Sequence, residues 1–244
     1  MARDHQVEHN NPKIIRPKAL LLDMDGTLFL GKVLINGTDR FIDHLNSRQI
    51  PYLCLTNNSS KSTNDYQKKL TGLGLDIPKE AIMGSGRASI LYLRDVLGWK
   101  SAYVVGTKSY RQECVAEGLA EDTIDPDGVL IAYDTELDYA KLSIAMRLIR
   151  DRNPDKMGVR PYYATHPDVT CITDNGHIPD IAATIAFLDA VSGRKPIVLG
   201  KPEKPIIDIA LKIMKIPADA SGTVAMVGDK LRTDMALARH HGLI

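Results

Sequence analysis

The sequence predicts an α/β protein built on a parallel sheet, and two observations carry that expectation. Short apolar runs of strand length alternate along the chain with apolar residues at helical spacing. Four of those runs give way abruptly to small, acidic or basic residues, as strands do where the carboxyl ends of a parallel sheet meet a ligand. The first of them, Ala19 to Leu22, ends in Asp23-Met24-Asp25-Gly26-Thr27. Carboxylates are almost never buried unpaired, so two of them at a strand end point to a partner. A hard divalent cation suits them, magnesium above all. Taken alone, the stretch also reads as a strand closed by an Asp-Gly turn.

The elements follow in order. Residues 28–35, centred on Gly31-Lys32, pattern as a hairpin beside the acidic pair. Thr38 is a candidate cap for a helix with Phe41, Ile42 and Leu45 on one face. Residues 52–55 form a second strand that runs into Thr56-Asn57-Asn58-Ser59-Ser60. A helix from about Ser62 turns Tyr66, Leu70 and Leu73 inward, and residues 81–83 make a third strand. From about Gly84 the alternation continues with chemically quieter strand ends. Ile90, Leu91, Val96 and Leu97 give a helical stripe, and residues 102–105 and 129–133 give strands. Asp138 caps a helix carrying Leu142, Ala145, Met146 and Ile149. Residues 161–164 lead to Thr165-His166-Pro167-Asp168. Pro179, favoured at the first helical position, opens a helix that ends at Ser192-Gly193. Polar ends then return. Residues 196–199 lead to Gly200-Lys201-Pro202, and a helix carries Ile206, Ile209, Ile213 and Met214. Residues 223–227 lead to Gly228-Asp229, with Asp234 heading the last helix, 233–241.

Composition narrows the function. With 244 residues, 44% hydrophobic, 25% charged and a formal net charge of +1, the chain has ample core for one large domain or two modest ones. It lacks the basic balance of a nucleic-acid binder. No apolar run reaches membrane-spanning length. Residues 1–12 are polar, have no signal-peptide core and read as a disordered tail. Cys54, Cys114 and Cys171 are scattered and suggest neither a disulfide framework nor a zinc cluster, with Cys54 simply core. These bounds fit a cytoplasmic enzyme with no nucleic-acid or membrane partner.

A parallel sheet brings the four polar strand ends together. Asp23 and Asp229 with a backbone carbonyl could hold magnesium, while Thr56, the Asn57 amide and Lys201 could bind phosphoryl oxygens. A carboxylate can attack phosphorus, and a second can protonate the leaving oxygen. In this order, Asp23-Met-Asp25-Gly-Thr27, Thr56-Asn57-Asn58, Lys201 and Gly228-Asp229 through Asp234 resemble the four motifs of the haloacid dehalogenase (HAD) superfamily. Leu28-Phe29-Leu30-Gly31, Gly106-Thr107, Gly193-Arg194-Lys195-Pro196, Gly200-Lys201-Pro202 and Thr233-Asp234 are similar to its type IIA cap, NagD-like or 4-nitrophenylphosphatase group.

That resemblance implies a Rossmann-like core, residues 13–83 and 194–244, with an inserted α/β cap domain at 84–193. It implies magnesium-dependent hydrolysis of a small-molecule phosphate ester through an aspartyl-phosphate. Asp23 would be the nucleophile and Asp25 the general acid/base. Magnesium would be held by Asp23, the Asp25 carbonyl and Asp229. Thr56 and Asn57, with Asn58, would grip the phosphoryl group, Lys201 would neutralise charge, and Asp234 would support the metal site or its loop. The 28–35 hairpin would be a flap, and the cap could supply a homodimer contact. His166 stands where the family commonly has asparagine. Paired with Asp168 it invites a metal or general-base role, but a loop histidine with satisfied hydrogen bonds is the plainer reading. The family normally continues past the last helix with another strand. The core is therefore expected to be C-terminally truncated, with the Asp229 strand at an edge. The alternatives are a relative that binds a phospho-ligand without turning it over and a phosphoacceptor signalling module.

Overall fold

The structure, a computed structural model, describes residues 16–150, 152–153, 158–173 and 176–244. The expected tail at residues 1–12 lies outside them. Four parallel strands form the first sheet, in the order Val224–Val227, Ala19–Leu22, Tyr52–Thr56 and Ile82–Gly84. Ala19–Leu22 is buried at every position, and Leu22 stands in register with Val227 on one side and Cys54 on the other. Strand side chains alternate between faces. Leu21 therefore packs with Leu53, Leu55, Ile206 and Ile209, while Leu20 and Leu22 pack with Ile42, Leu45 and Leu70 on the opposite side. With helices on both faces the strands read as continuous apolar runs. The carboxyl ends of all four open on one side.

A second sheet, also wholly parallel, runs Ile197–Val198, Tyr162–Ala164, Val129–Ile131, Ser101–Val105 and Ala120–Glu121. It lies in sequence between strands of the first sheet, so the fold is an α/β Rossmann-like core with an inserted α/β cap domain. Elements next to residues 84 and 193 serve both parts. Ser85–Asp95 turns Ala88 and Leu91 into the first core and Ile90 and Leu93 towards Trp99, Val104 and Leu130, so one helix serves both cores. At the far end, Ile197–Val198 still pairs with the second sheet.

Two hairpins project towards the open ends of the first sheet's strands. Phe29–Leu30 with Val33–Leu34 is the expected one. Thr38 is not its helix's cap but its first residue, after a left-handed Gly37, and its hydroxyl donates to Leu28 O at 3.0 Å. The second hairpin, Thr170–Thr173 with Gly176–Pro179, was not expected. Pro179 ends that strand, and Asp180 caps the helix Ile181–Ser192 in its place. A carboxylate acceptor next to the first helical N–H outweighs the proline signal here. Val224–Val227 forms an edge of the first sheet. The backbone of Ile244 lies along it, its N–H donating to Val224 O at 2.9 Å and its carbonyl accepting from Met226 N–H at 3.0 Å. Among the described residues no helix is long and apolar enough to cross a membrane.

Candidate active site

Asp23 begins where the central strand stops. Its N–H donates to Val227 O at 2.8 Å, which fixes it between two strand ends, and the residue is buried. Oδ1 accepts from Lys201 Nζ at 2.6 Å, whereas the buried Oδ2 has no hydrogen-bond partner. Lys201 is itself fully enclosed and donates also to Asp234 Oδ1 at 2.7 Å and Leu55 O at 3.1 Å. Burial pushes the Asp23 carboxyl up to about 6, with Asp234 adding to the rise and Lys201 opposing it. Burial works against the lysine's charge, but Asp23 and Asp234 outweigh it and hold its pKa above the ordinary value. One buried ammonium thus faces two buried carboxylates, where unpaired charge would be costly.

Asp234 is more than a charge at a helix start. Its Oδ2 accepts from Lys230 N–H at 3.0 Å, so it shapes the loop that presents Asp229. Gly228 allows this, because a Cβ there would collide with the Asp234 carboxylate. Gly26, at φ 93°, is held in a left-handed turn, and a Cβ there would strike the Asp229 carboxylate. Asp229 is solvent-exposed. Oxygens of Asp23, Asp229 and Asp234 lie within 4.8 Å of one another, a separation that a cation could bridge. Asp25 is partly exposed, with Oδ1 3.6 Å from Lys69 Nζ and Oδ2 lacking a hydrogen-bond partner. The same Lys69 ammonium sits 3.7 Å from the centre of the Phe29 ring, tying the first hairpin to Asp25.

The stretch after the second strand does structural work that sequence alone does not disclose. Thr56 is buried, and its Oγ1 accepts from Asn58 N–H at 3.2 Å. The Asn57 carboxamide is committed: Oδ1 accepts from Lys201 N–H at 2.9 Å, and Nδ2 donates to Lys201 O and Asp168 Oδ1, both at 3.0 Å. Its side chain clamps the lysine loop and is spent on protein contacts. Asn58 Oδ1 accepts from Ser60 N–H at 3.0 Å and Ser60 Oγ at 2.7 Å, a local turn. Ser59 Oγ joins Thr165 Oγ1 at 2.8 Å and accepts from Tyr133 N–H at 2.9 Å, locking this loop to the inserted domain.

Both domains line one pocket. Asp23, Asp25, Thr56, Asn57, Lys201 and Asp229 come from the first, and Asp168, Thr170, Cys171, Ile172 and Asp180 from the second. Asp180 and Lys230 carried no signal in the sequence beyond their types, and Lys230 Nζ reaches within 3.8 Å of Asp168 Oδ2. The plain reading of His166 holds for one ring nitrogen only. The residue is fully buried, Nδ1 accepts from Asp168 N–H at 3.4 Å, Nε2 has no hydrogen-bond partner, and burial pushes its pKa down to about 4. Burial likewise lifts the Asp180 carboxyl to about 7, with Asp168 adding to the rise and the Ile181 N–H opposing it.

Acidic, basic and amide groups gathered at the carboxyl ends of a parallel sheet define a class of α/β protein that handles anionic substrates under a second domain. The Haloacid dehalogenase-like hydrolase family matches residues 20–120, and the HAD-hydrolase-like family matches 198–244. An acid sugar phosphatase from Staphylococcus haemolyticus is 35% identical over 219 residues, covering 89% of this chain and 80% of the relative. The crystal structure of 4-nitrophenylphosphatase from Thermotoga maritima superposes with a TM-score of 0.85 at 32% identity, covering 93% of this chain and 84% of that one. NagD from E. coli K-12 gives 0.82 at 28% identity, covering 94% and 86%. The chain belongs to the HAD superfamily, in its type IIA, NagD-like group, and is a HAD-type phosphatase.

Proposed function

We propose that the chain hydrolyses phosphate monoesters of small metabolites, sugar phosphates foremost, with magnesium and through an aspartyl-phosphate. The observation that carries this reading is the uncommitted Oδ2 of Asp23, buried at a strand end while Lys201 holds Oδ1. The names of the similar acid sugar phosphatase and 4-nitrophenylphosphatase support the substrate class.

In the first step Asp23 Oδ2 attacks phosphorus and the ester P–O bond breaks. Asp25, whose Oδ2 is free of protein hydrogen bonds, gives its proton to the leaving oxygen. In the second step Asp25 takes a proton from water, the water oxygen attacks phosphorus, and the Asp23 carboxylate leaves with inorganic phosphate as the other product. Thr56, the Asn57 backbone N–H and, at the loop, Asn58 orient the phosphoryl group. Lys201 balances its charge, and Asp234 keeps Lys201 in place. The clustered oxygens of Asp23, Asp229 and Asp234 fit a hard cation, to be held by Asp23, Asp229 and the Asp25 carbonyl. When bound, magnesium supplies charge neutralisation to the phosphoryl oxygens. The cap excludes water and selects the leaving group through its face of the pocket.

The test is phosphate release from a panel of sugar phosphates, nucleoside monophosphates and 4-nitrophenyl phosphate. Turnover with magnesium that vanishes with chelator is expected. No release from any ester, with binding of inorganic phosphate retained, would favour a non-catalytic phospho-ligand binder. The proposal extends to a cytoplasmic protein that dimerises through its cap, which solution mass of wild-type and cap-surface variants would check.

A further inference from the structure

The geometry points to a second metal site, built by His166, Asp168 and Asp180 in the cap's wall of the pocket and suited to a transition-type divalent cation such as zinc. This inference does not depend on the phosphatase reading. One ligand atom from each of the three residues lies within 4.8 Å of the others. They converge from separate elements: His166 and Asp168 follow the strand Tyr162–Ala164, and Asp180 heads the helix Ile181–Ser192.

The cluster's acidity alone would mean little, but the histidine adds an independent observation. Its ring is fully buried; Nδ1 accepts from Asp168 N–H over a long 3.4 Å, while Nε2 faces Asp180 Oδ1 at 3.7 Å, too far for a hydrogen bond and without any other partner, so a cation taken at Nε2 requires the ring proton to move to Nδ1 and that long bond to yield. A buried polar atom left in this state is destabilising. Two metal bonds of about 2.1 Å, one to an imidazole nitrogen and one to a carboxylate oxygen, would bridge that gap with an open angle.

Charge favours the same occupant. Among the described residues Asp180 lies within ion-pair distance of no lysine or arginine, and Asp168 meets only Lys230, at 3.8 Å. A divalent cation would neutralise both carboxylates at once. The ligands are also braced from behind, as metal ligands generally are. Asn57 Nδ2 donates to Asp168 Oδ1 at 3.0 Å, and Ile181 N–H donates to Asp180 Oδ1 at 2.6 Å. One imidazole with two carboxylates selects zinc or a neighbouring first-row ion, whereas magnesium prefers oxygen alone.

The test uses the full chain, stripped with chelator and then titrated with zinc in excess magnesium. Zinc content after gel filtration and the visible absorption of a cobalt(II) form are the readouts. We expect one equivalent of zinc retained by the wild type and by Asp229→Asn, which weakens the other acidic cluster. Asp180→Asn preserves a good helix cap, and with His166→Gln it should bind zinc at least roughly 10–100-fold more weakly. If His166→Gln fails to fold by its melting curve, Asp180→Asn decides. Zinc lost from the wild type, as expected if an ordered water fills the gap instead, overturns the inference. So does wild-type zinc affinity in folded Asp180→Asn.

Discussion

Around Asp23 two buried carboxylates share one buried ammonium, with Lys201 Nζ at 2.6 Å from Asp23 and 2.7 Å from Asp234. Around His166 two carboxylates meet an imidazole that burial keeps neutral, and the contacts stretch to 3.7 Å and 3.9 Å. Both clusters border the same pocket, through Asp23 and Lys201 on one side and Asp168 and Asp180 on the other. The first carries its own counter-charge, so its charges persist although buried, and one oxygen stays available for chemistry. The second contains no buried cation of its own, and Asp180 is pushed towards its protonated form. A shared pocket therefore joins a charged, pre-set centre to one that is incomplete until something binds.

The largest effect expected is at Asp23. Asp23→Asn should lower turnover of every phosphate ester by at least about 10⁴-fold, as losses of a nucleophile do. Activity near wild type in a folded variant would place the chemistry elsewhere. Asp25→Asn should cost about 10²–10⁴-fold on alkyl phosphates and clearly less on 4-nitrophenyl phosphate, whose leaving group needs little protonation. Equal losses on both would remove the acid role.

Lys201→Met probes the compensation itself. It leaves Asp23 and Asp234 buried without a cation, and should destabilise the fold by about 3–5 kcal/mol in denaturant titrations at neutral pH. The loss should shrink in acid, where the Asp23 carboxyl, already raised to about 6 by burial, takes up its proton. A pH-independent loss would mean that packing, not charge, is what Lys201 supplies.

The smallest effect separates two members of the second cluster by pH. Asp180 has its folded pKa raised from 3.8 to about 7, so its stabilising contribution is full below 3.8 and fades as pH climbs to about 7. His166 has its folded pKa lowered from 6.5 to about 4, so its contribution is full above 6.5 and fades as pH falls to about 4. Between pH 4 and 6.5 the two slopes oppose. Asp180→Asn removes the first. Its stability relative to wild type, measured in chelator, should therefore rise with pH by up to about 1.4 kcal/mol per unit. A flat difference would show that Asp180 is ionised across the window.

Much of this molecule is legible in its sequence, and for a local reason. Strand periodicity and the residue types at strand ends are properties of adjacent residues, so Asp23, Asp25, Thr56, Lys201 and Asp229 announced themselves in place. Their order also carried the family resemblance. What those side chains do to one another was not legible. Asn57 and Lys201 are 144 residues apart, and nothing near Asn57 shows that its carboxamide is consumed in clamping that loop. Asp234 looked like a helix-start charge until Lys201, 33 residues away, reached it. Residues 170–179 gave no strong alternation, and the proline that suggested a helix start proved to close a hairpin. His166 read as a satisfied loop residue because burial cannot be seen in a run of Thr-His-Pro-Asp. By itself the sequence determined which groups are available and at which strand ends they sit. Only the tertiary structure decided which carboxylate received a counter-charge and which histidine was buried, because both depend on the non-local packing of two sheets.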